Sequence, residues 1–588
     1  MTDEQKEKIK NKRKKKRDSI AKLKQQMIEF INNIKTYEDW DRFVQMFTMR
    51  FPERKKKFLT DSGIEVKRLY IPDDIKDIDY NKDIGYPSVP PFVRGVYPTM
   101  HRGRFWTQRL ITGFGTPEDT NKRLKFLISQ GQTGLNVIYD LPSHRGIDPD
   151  DPRAKGEIGK DGVNCCCLED MRAIFKDIEY YKYSVSQITA IHVLCMYIAM
   201  AELDGVDISQ LRGTVQSDIL NAIIGCGTLA SDITRRGKGA IDYSVEICVD
   251  IIEFCTKYMP KWYPISIVGR NIREAGADAV SEIAIAFSNG LTFIDKALKR
   301  GLDINEFGER LSFMFCCEND FFEEIAKFRA ARKVWYRLMK EKGATNPLAM
   351  LVRMHVQNSS IAYTAQQPLN NIIRGTLHTT AAVLGGAQSL HTNAYDEAWG
   401  LPTEKAAMIA LRTQQIIAEE SGIMNTIDPL AGSYYIEALT NELAERIYNM
   451  VKEMQEKGGS IKLVENGWVF NIIEENAYKY QQQIETGERV IVGVNKYVIE
   501  DEELDIEIHE IPEEVARHQI ERVQRVRRER DPEKWKKAMD ELRKACDAKE
   551  KDPTVNIMRP LIEAYKAGAT LGECYNAIWP EYRFMGGN

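Results

Sequence analysis

The 588 residues carry 82 Lys and Arg against 86 Asp and Glu, so a net charge of −4 offers no global field for nucleic acid. Hydrophobic side chains make up 43%, with eight Trp, 25 Tyr and 21 Phe, enough for a substantial core. No 18-residue apolar run and no secretory apolar segment behind the N-terminus is present, which argues against a membrane partner and reads as cytoplasmic.

Lys6–Arg17, KEKIKNKRKKKR, leads into apolar Ile20, Leu23, Met27, Ile28 and Ile31 at helical spacing. The pattern predicts an amphipathic helix with a charged lead-in, a solvated tail or subunit contact, because no aromatic residues interleave the charges. Segments such as YIPDDI and YPSVPPF then wrap rather than form a sheet. Residues 1–60 thus read as a helical arm and residues 61–110 as an extended segment. From about residue 110, GLNVIYDLP, LRGTVQSD, WYPISIVG, RLSFMF, MLVRMHVQ and SLHTN alternate with helical stretches. That alternation predicts an α/β fold, a closed (β/α)8 TIM barrel over residues 111–455. Asp140, Gln216, Ser312, His355 and Asn393 fall just behind these strands, where such a barrel builds its active site. Residues 456–588 join strand-prone ERVIVGVNKYVIEDEELDIEIHEI to helical HQIERVQRVRRERDPEKWKKAMDELRKACDAKE, predicting a linker and a C-terminal α/β extension with helices.

The eleven cysteines lack a metal-finger spacing. Cys165–Cys167 and the pair Cys316 and Cys317 lie in strand-like runs and read as small apolar side chains, with a metal or redox role as the alternative. Arg102, Arg104 and Arg109 in HRGRFWTQR, beside Thr99 and Thr107, form either a solvated basic loop or a set of guanidinium forks for phosphate. Gln216, as a buried amide, needs a partner from backbone or substrate.

The stretch from Tyr86 to Asp150, then GTVQSD at 213–218, RLSFMFCCENDFFEEIAKFRAAR from Arg310, AQSLHTNAYDEAWGLPTEKAA from Ala387 and EESGIMNTIDPLAGSYYIE from Glu419 resemble the adenosylcobalamin-dependent acyl-CoA mutases of the methylmalonyl-CoA mutase type. The resemblance spans roughly residues 70–450. It implies an isomerase with a radical mechanism: the cofactor supplies an adenosyl radical, the substrate radical moves a thioester-bearing carbon, and the protein orients and shields it. It places Tyr97, Thr99, Arg104, Thr107, Arg109, Arg310 and Ser312 along the CoA path and Gln216 near the acyl group. It sets Gln357, Asn393 and Glu397 toward the cofactor's adenosine, with Glu274 also cofactor-binding and His355 and Gln388 near the corrin and substrate end. His355 also reads as a satisfied core histidine. The family's cobalt-binding D-x-H-x-x-G signature is absent from this sequence. The resemblance therefore implies a large subunit, with the lower cobalt ligand on a separate cobalamin-binding small subunit, in a heteromer containing two large subunits.

Several positions depart from the family. Ile111 and Cys226 stand where methylmalonyl-CoA mutase places a tyrosine and an arginine around the free carboxylate, and the stretch from Cys226 to Gly269 is longer than usual. GRNIREAG puts Arg270 and Asn271 at the family's tyrosine and histidine, with Glu274 kept. Asn271 can donate a neutral hydrogen bond to the thioester carbonyl. Arg270 either takes a substrate carboxylate from a new direction or pairs structurally with an aspartate. Ile138 replaces the aspartate that 2-hydroxyisobutyryl-CoA mutases use for their hydroxyl. Ile111, Ile138 and Cys226 together imply a roomier apolar pocket for a branched or alkyl-substituted acyl-CoA, including an alkylsuccinyl-CoA if Arg270 holds its carboxylate. Methylmalonyl-CoA or isobutyryl-CoA mutase activity proper, and a non-catalytic CoA-binding or assembly protein, are the alternatives.

Overall fold

The computed structural model describes residues 4–5, 7–8, 10, 15, 18, 22, 25, 27–29, 31–189, 191–227, 239–502 and 506–580. The chain divides into two compact units, Met1–Arg68 and Leu69–Asn588. In the first, the helix Tyr37–Thr48 is started by a reciprocal cap between Thr36 and Asp39. Most of the basic run Lys6–Arg17, with Ile20 and Leu23 of the amphipathic pattern, lies outside the described residues.

The second unit is built on eight parallel strands. Strand β1 has two segments, Thr107–Gln108 and Ile111–Thr112; then come β2 (Gly134–Ile138), β3 (Ser184–Ile188) and β4 (Arg212–Val215). Strand β5 is again split, Trp262–Tyr263 and Ile265–Val268, followed by β6 (Leu311–Cys317), β7 (Met354–Asn358) and β8 (Ser389–His391). One sheet runs from the first half of β1 through β8, β7 and β6 to the second half of β5. The other runs from the second half of β1 through β2, β3 and β4 to the first half of β5. Both sheets share β1 and β5, so the ring closes as a (β/α)8 barrel.

Six of the strands coincide with apolar runs picked out from the sequence; β1 and β3 do not. Their inward positions carry Arg109, Ser184 and Ser186, which weakens the apolar signal. In addition, β3 leads almost directly into the largely apolar helix Ile191–Leu203, packed against the helix Met558–Lys566, with His192 and Glu202 as its polar residues.

The C-terminal extension departs from the expected α/β character. Its described residues form helices, including Glu514–Glu529, Pro532–Lys551, Met558–Lys566 and Leu571–Ile578. The strand-prone residues 488–511 make only an isolated bridge, Val492 with Lys496, among those described. A closed barrel leaves no sheet edge to pair with, and Gly493 and Tyr497 at φ 86° and 58° break the extended run. The helices join the barrel's own core, in which Cys165, Cys166, Cys167, Cys195, Cys546 and Cys574 pack as apolar side chains. Buried ion pairs fix the join: Arg522 to Asp170 at 2.8 Å and Lys549 to Asp250 at 2.7 Å. Cys166, Cys167 and Asp170 lie close enough to hold a metal ion, but Asp170 already accepts the two cysteine backbone N–H groups, Gln519 and Arg522.

Candidate functional site: an axial cavity with two unlike mouths

Strand alternation sends Leu135, Val137, Val185 and Val215 outward into the helix-facing core. The opposite set faces the axis, and much of it is small and hydroxylic: Ser184, Ser186, Thr214, Ser266, Ser312 and Ser389. A TIM barrel normally fills this space with branched apolar side chains. Here a cavity of about 810 Å³ remains, opening at the N-terminal ends of the strands. Its walls are tied together by Thr214 Oγ1 to Ser312 Oγ at 3.2 Å and His355 Nδ1 to Ser389 Oγ at 2.8 Å. Ser312 and His355 thus sit near the starts of β6 and β7, not behind their ends as the sequence pattern implied. Asp140 is also removed from the active layer: its buried carboxylate accepts from Ser143 N, Gly159 N and Asn164 Nδ2, holding the turn after β2.

The N-terminal mouth is cationic. Arg104, Arg109, Lys182, Arg212, Lys261, Arg310 and Arg353 line the cavity, and no Asp or Glu lines it with them. Arg109 is 6% exposed and lies across Gly134, where a Cβ would meet its Nε at 3.0 Å. It donates to Ser184 Oγ, its Nε has no partner, and burial pushes its pKa down to about 10. Tyr97, Thr99, Thr107 and Ser312 complete this wall. Gln388 and His355, which the resemblance sets near the corrin and substrate end, line this cavity too. Gln388 is engaged by backbone, accepting from Met354 N at 2.8 Å and donating to Gly386 O. Burial, then Arg109, holds the His355 imidazole well below its ordinary pKa and so neutral, with Nε2 unpartnered. Lys182, Arg212, Lys261 and Arg353 were missed in the sequence. Their signal was positional: each stands at or just before the first residue of a barrel strand.

The C-terminal mouth is a connected network. The short helix Arg270–Glu274 follows β5 and turns both its terminal residues to one face. Arg270 Nη2 meets Glu274 Oε2 at 2.8 Å and donates to Ser360 Oγ at 3.0 Å. Ser360 donates its N–H to Glu274 at 2.7 Å and its hydroxyl to Glu397 at 2.8 Å, and accepts from Asn393 Nδ2 at 3.1 Å. Gln357 reaches Asn393 Oδ1 at 3.4 Å and leaves its own Oε1 buried without a partner. Burial works most strongly against the Arg270 charge, but Glu274, together with Cys316, Glu397 and Cys226, outweighs it, so its pKa is raised; burial raises that of Glu397. The structural partner of Arg270 is therefore a glutamate one turn along, not an aspartate. Ser360, the hub, carried no signal in the sequence.

Around this network lie the acyl-facing candidates. Gln216 Nε2 contacts Met314 Sδ at 2.9 Å, a weak acceptor. Asn271 Oδ1 accepts a long 3.4 Å bond from Asn221. Ile111 and Ile138 are half-buried and face the axis. Ile111 N donates to His391 Nδ1 at 2.9 Å, and burial, then Arg270, pushes that imidazole down to about 3. Cys226 is exposed, and residues 228–238 of the longer stretch behind it lie outside the described residues.

The methylmalonyl-CoA mutase family profile matches residues 59–582. The chain belongs to the methylmalonyl-CoA mutase family. It is an isomerase of the cobalamin-dependent acyl-CoA mutase kind, which rearranges a carbon skeleton. The 2-hydroxyisobutanoyl-CoA mutase large subunit of Aquincola tertiaricarbonis is 44% identical over 554 residues, 93% of this chain and 96% of that protein. Methylmalonyl-CoA mutase of Rhizobium meliloti is 39% identical, covering 92% of this chain and 75% of its own length. The methylmalonyl-CoA mutase large subunit of Porphyromonas gingivalis is 38% identical over 91% of this chain and 74% of its own. Within this family framework, the barrel carries a cationic, hydroxyl-lined cavity at the N-terminal ends of its strands and a hydrogen-bonded network at their C-terminal ends. No helix among the described residues is long and apolar enough to cross a membrane.

Proposed function

We propose that this chain is the large, substrate-binding subunit of an adenosylcobalamin-dependent mutase acting on an acyl-CoA whose branched acyl group is uncharged. The observation that carries the reading is the cavity mouth with seven cations and no carboxylate. The nucleotide end of CoA is a polyanion, and guanidinium groups match phosphate oxygens in geometry as well as charge. Arg109 is the anchor, since a buried cation without a carboxylate is completed by a bound anion. The hydroxyl-lined axis then takes the amide-bearing arm, and the thioester reaches the layer of Gln216 and Asn271. Both are neutral donors there; Asn271 holds the carbonyl and transfers no proton.

Glu274, Gln357, Asn393 and Glu397 fit an adenosyl group in chemistry. Carboxylates and amide oxygens accept from ribose hydroxyls and the adenine amine, and the unpartnered Gln357 Oε1 is one such acceptor. Adenosylcobalamin, when bound, supplies the radical that starts and ends the rearrangement. The chain's residues orient the thioester and exclude water from it. A cobalt ligand would come from a separate small subunit, as the words "large subunit" in the names of two relatives support; the proposed assembly is a heteromer with two large subunits.

Arg270 is neutralised by Glu274, while Ile111 and Cys226 supply no cation, so a free carboxylate on the acyl group has no partner in this pocket. This favours an uncharged branched substrate over methylmalonyl-CoA. The test is reconstitution with adenosylcobalamin, a cobalamin-binding small subunit and a panel of branched, linear and carboxylated acyl-CoAs, with thioester products resolved by mass spectrometry. An isomerised branched thioester formed only with the small subunit is the expected result. No isomer from any substrate overturns the catalytic reading. Tight cobalamin binding by this chain alone, with histidine on cobalt, overturns the split arrangement.

A further inference from the structure

Arg329 and Arg332 lie buried on the helix Phe321–Glu341 that follows β6, and they are engaged in different ways. Arg329 meets the carboxylates of Asp428 and Glu437. Arg332, 2% exposed, directs all three of its nitrogens to backbone carbonyls instead. Its Nε donates to Phe92 O at 2.9 Å and Val93 O at 3.1 Å, its Nη2 to Val93 O at 2.6 Å and its Nη1 to Gly385 O at 2.7 Å. Burial, then the charge of Arg329, lowers its pKa to about 9, so the group stays protonated at neutral pH. A buried cation completed by neutral carbonyls is costly as mere filling. What it provides is a planar fork that grips two stretches of chain distant in sequence.

Both stretches run directly into the cavity wall. Phe92 sits at φ 66°, a left-handed conformation that a bulky residue keeps only where its surroundings hold it. Its carbonyl also accepts from Gly95 N at 2.9 Å. Beyond this turn Met100 lies so close to Gly95 that an added Cβ would meet its Sδ at 2.5 Å, and the same sulfur accepts from Tyr97 N at 3.4 Å. Tyr97, Thr99 and Arg104 of this segment line the cavity. On the other side, Gly385 leads through Gly386 to Gln388, also on the wall. A Cβ at Gly386 would meet Met100 Cε at 3.1 Å and Arg332 Nη1 at 3.4 Å, so the two stretches touch at the guanidinium. Arg332 stands behind the wall and is not itself among the residues lining the cavity.

We propose that Arg332 is a positioning residue for CoA: it clamps Phe92 and Val93 to Gly385 and so sets the wall segment that carries Tyr97, Thr99 and Arg104. This rests on the acyl-CoA reading above.

The test combines calorimetry of free CoA binding to the full chain with hydrogen-exchange mass spectrometry. Arg332→Gln keeps a donor but cannot span both stretches. It should weaken CoA by at least about tenfold, because displaced binding groups lose their contacts. Exchange should rise over residues 86–104 and 385–388 and stay unchanged in strands β2 to β7. Tyr97→Ala should weaken CoA binding in wild type yet add little in the Arg332→Gln background, where Tyr97 is already displaced. Arg332→Lys, which keeps the charge and one anchor, should lose less CoA affinity and serves if the glutamine variant does not fold. Unchanged CoA affinity in the variants overturns the proposal, as does a Tyr97→Ala loss that is absent in wild type or fully additive. Exchange raised throughout the barrel, or failure of both variants to fold, assigns Arg332 to stability alone and overturns it too. Failure of CoA to bind wild type overturns the acyl-CoA reading itself, a result distinct from binding that ignores Arg332.

Discussion

At the N-terminal mouth seven cations surround the cavity with no carboxylate lining it, whereas at the C-terminal mouth Arg270 is answered by Glu274 within one helical turn and linked through Ser360 to Glu397. Lys182 pairs with Glu179 at 2.6 Å, but the first arrangement has no carboxylate among its lining residues and is completed by what binds. The second is already balanced, so its side chains are held in place before anything arrives. Affinity is concentrated at one end of the barrel and geometry at the other. The contrast can be broken at either end.

The largest effect is expected from Arg109→Met, which removes the buried cation. CoA affinity should fall by about 2–5 kcal/mol, read by calorimetry, with little change in binding of free adenosine analogues at the far mouth. Asp218, capping the helix after β4 and accepting from Val268 N, comes next; burial raises its carboxyl pKa from 3.8 to about 7. A raised folded-state pKa means the native protein binds more protons, so this contribution is full below about pH 4 and lost as pH rises through 7. Chemical unfolding should therefore show wild type losing stability relative to Asp218→Asn between these limits, by at most about 4 kcal/mol.

Glu274→Gln is expected to cost about 1–3 kcal/mol in unfolding free energy, because it leaves a largely buried guanidinium without its anion. It would also make this mouth resemble the other one: carboxylated acyl-CoAs should bind the variant better than wild type, and unchanged discrimination would show that Glu274 does not control the Arg270 charge. The smallest effect belongs to exposed Arg104. Arg104→Gln should weaken CoA binding by less than about 1 kcal/mol, and the difference should vanish at high salt, where exposed charges are screened.

Much of the barrel was legible because six strands fall in short runs carrying Val, Ile, Leu, Met or aromatic residues. Strand β3 was not, since Ser184 and Ser186 face the cavity and replace the expected pattern. The site was legible unevenly for a related reason. Asn393 and Glu397 stand in AQSLHTNAYDEAWGLPTEKAA, a stretch that resembles a family motif, and the structure joins them to Glu274 through Ser360, with Gln357 on Asn393. The cationic mouth is assembled from single residues at the starts of different strands, so no short motif contains it. The pairing of Arg270 with Glu274 was available from their four-residue spacing, which places both on one helix face. Weighing Arg270 against an aspartate elsewhere passed over its neighbour. The helices over Glu514–Glu529 and Pro532–Lys551 were legible, whereas the strand propensity of residues 488–511 misled because it finds no open sheet edge.

The hydroxyl side chains along the axis have a consequence for how such a protein responds to selection. Ser184, Thr214, Ser266, Ser312 and Ser389 occupy positions where larger apolar residues would knit the barrel together. Substitutions that plug the passage should raise thermal resistance while shutting out the thioester, so heat resistance and turnover pull the same residues in opposite directions. A laboratory search that scores survival on heating alone should enrich for sealed barrels. One that scores retained CoA binding after heating should instead collect its changes on the outer helices and leave these hydroxyls untouched.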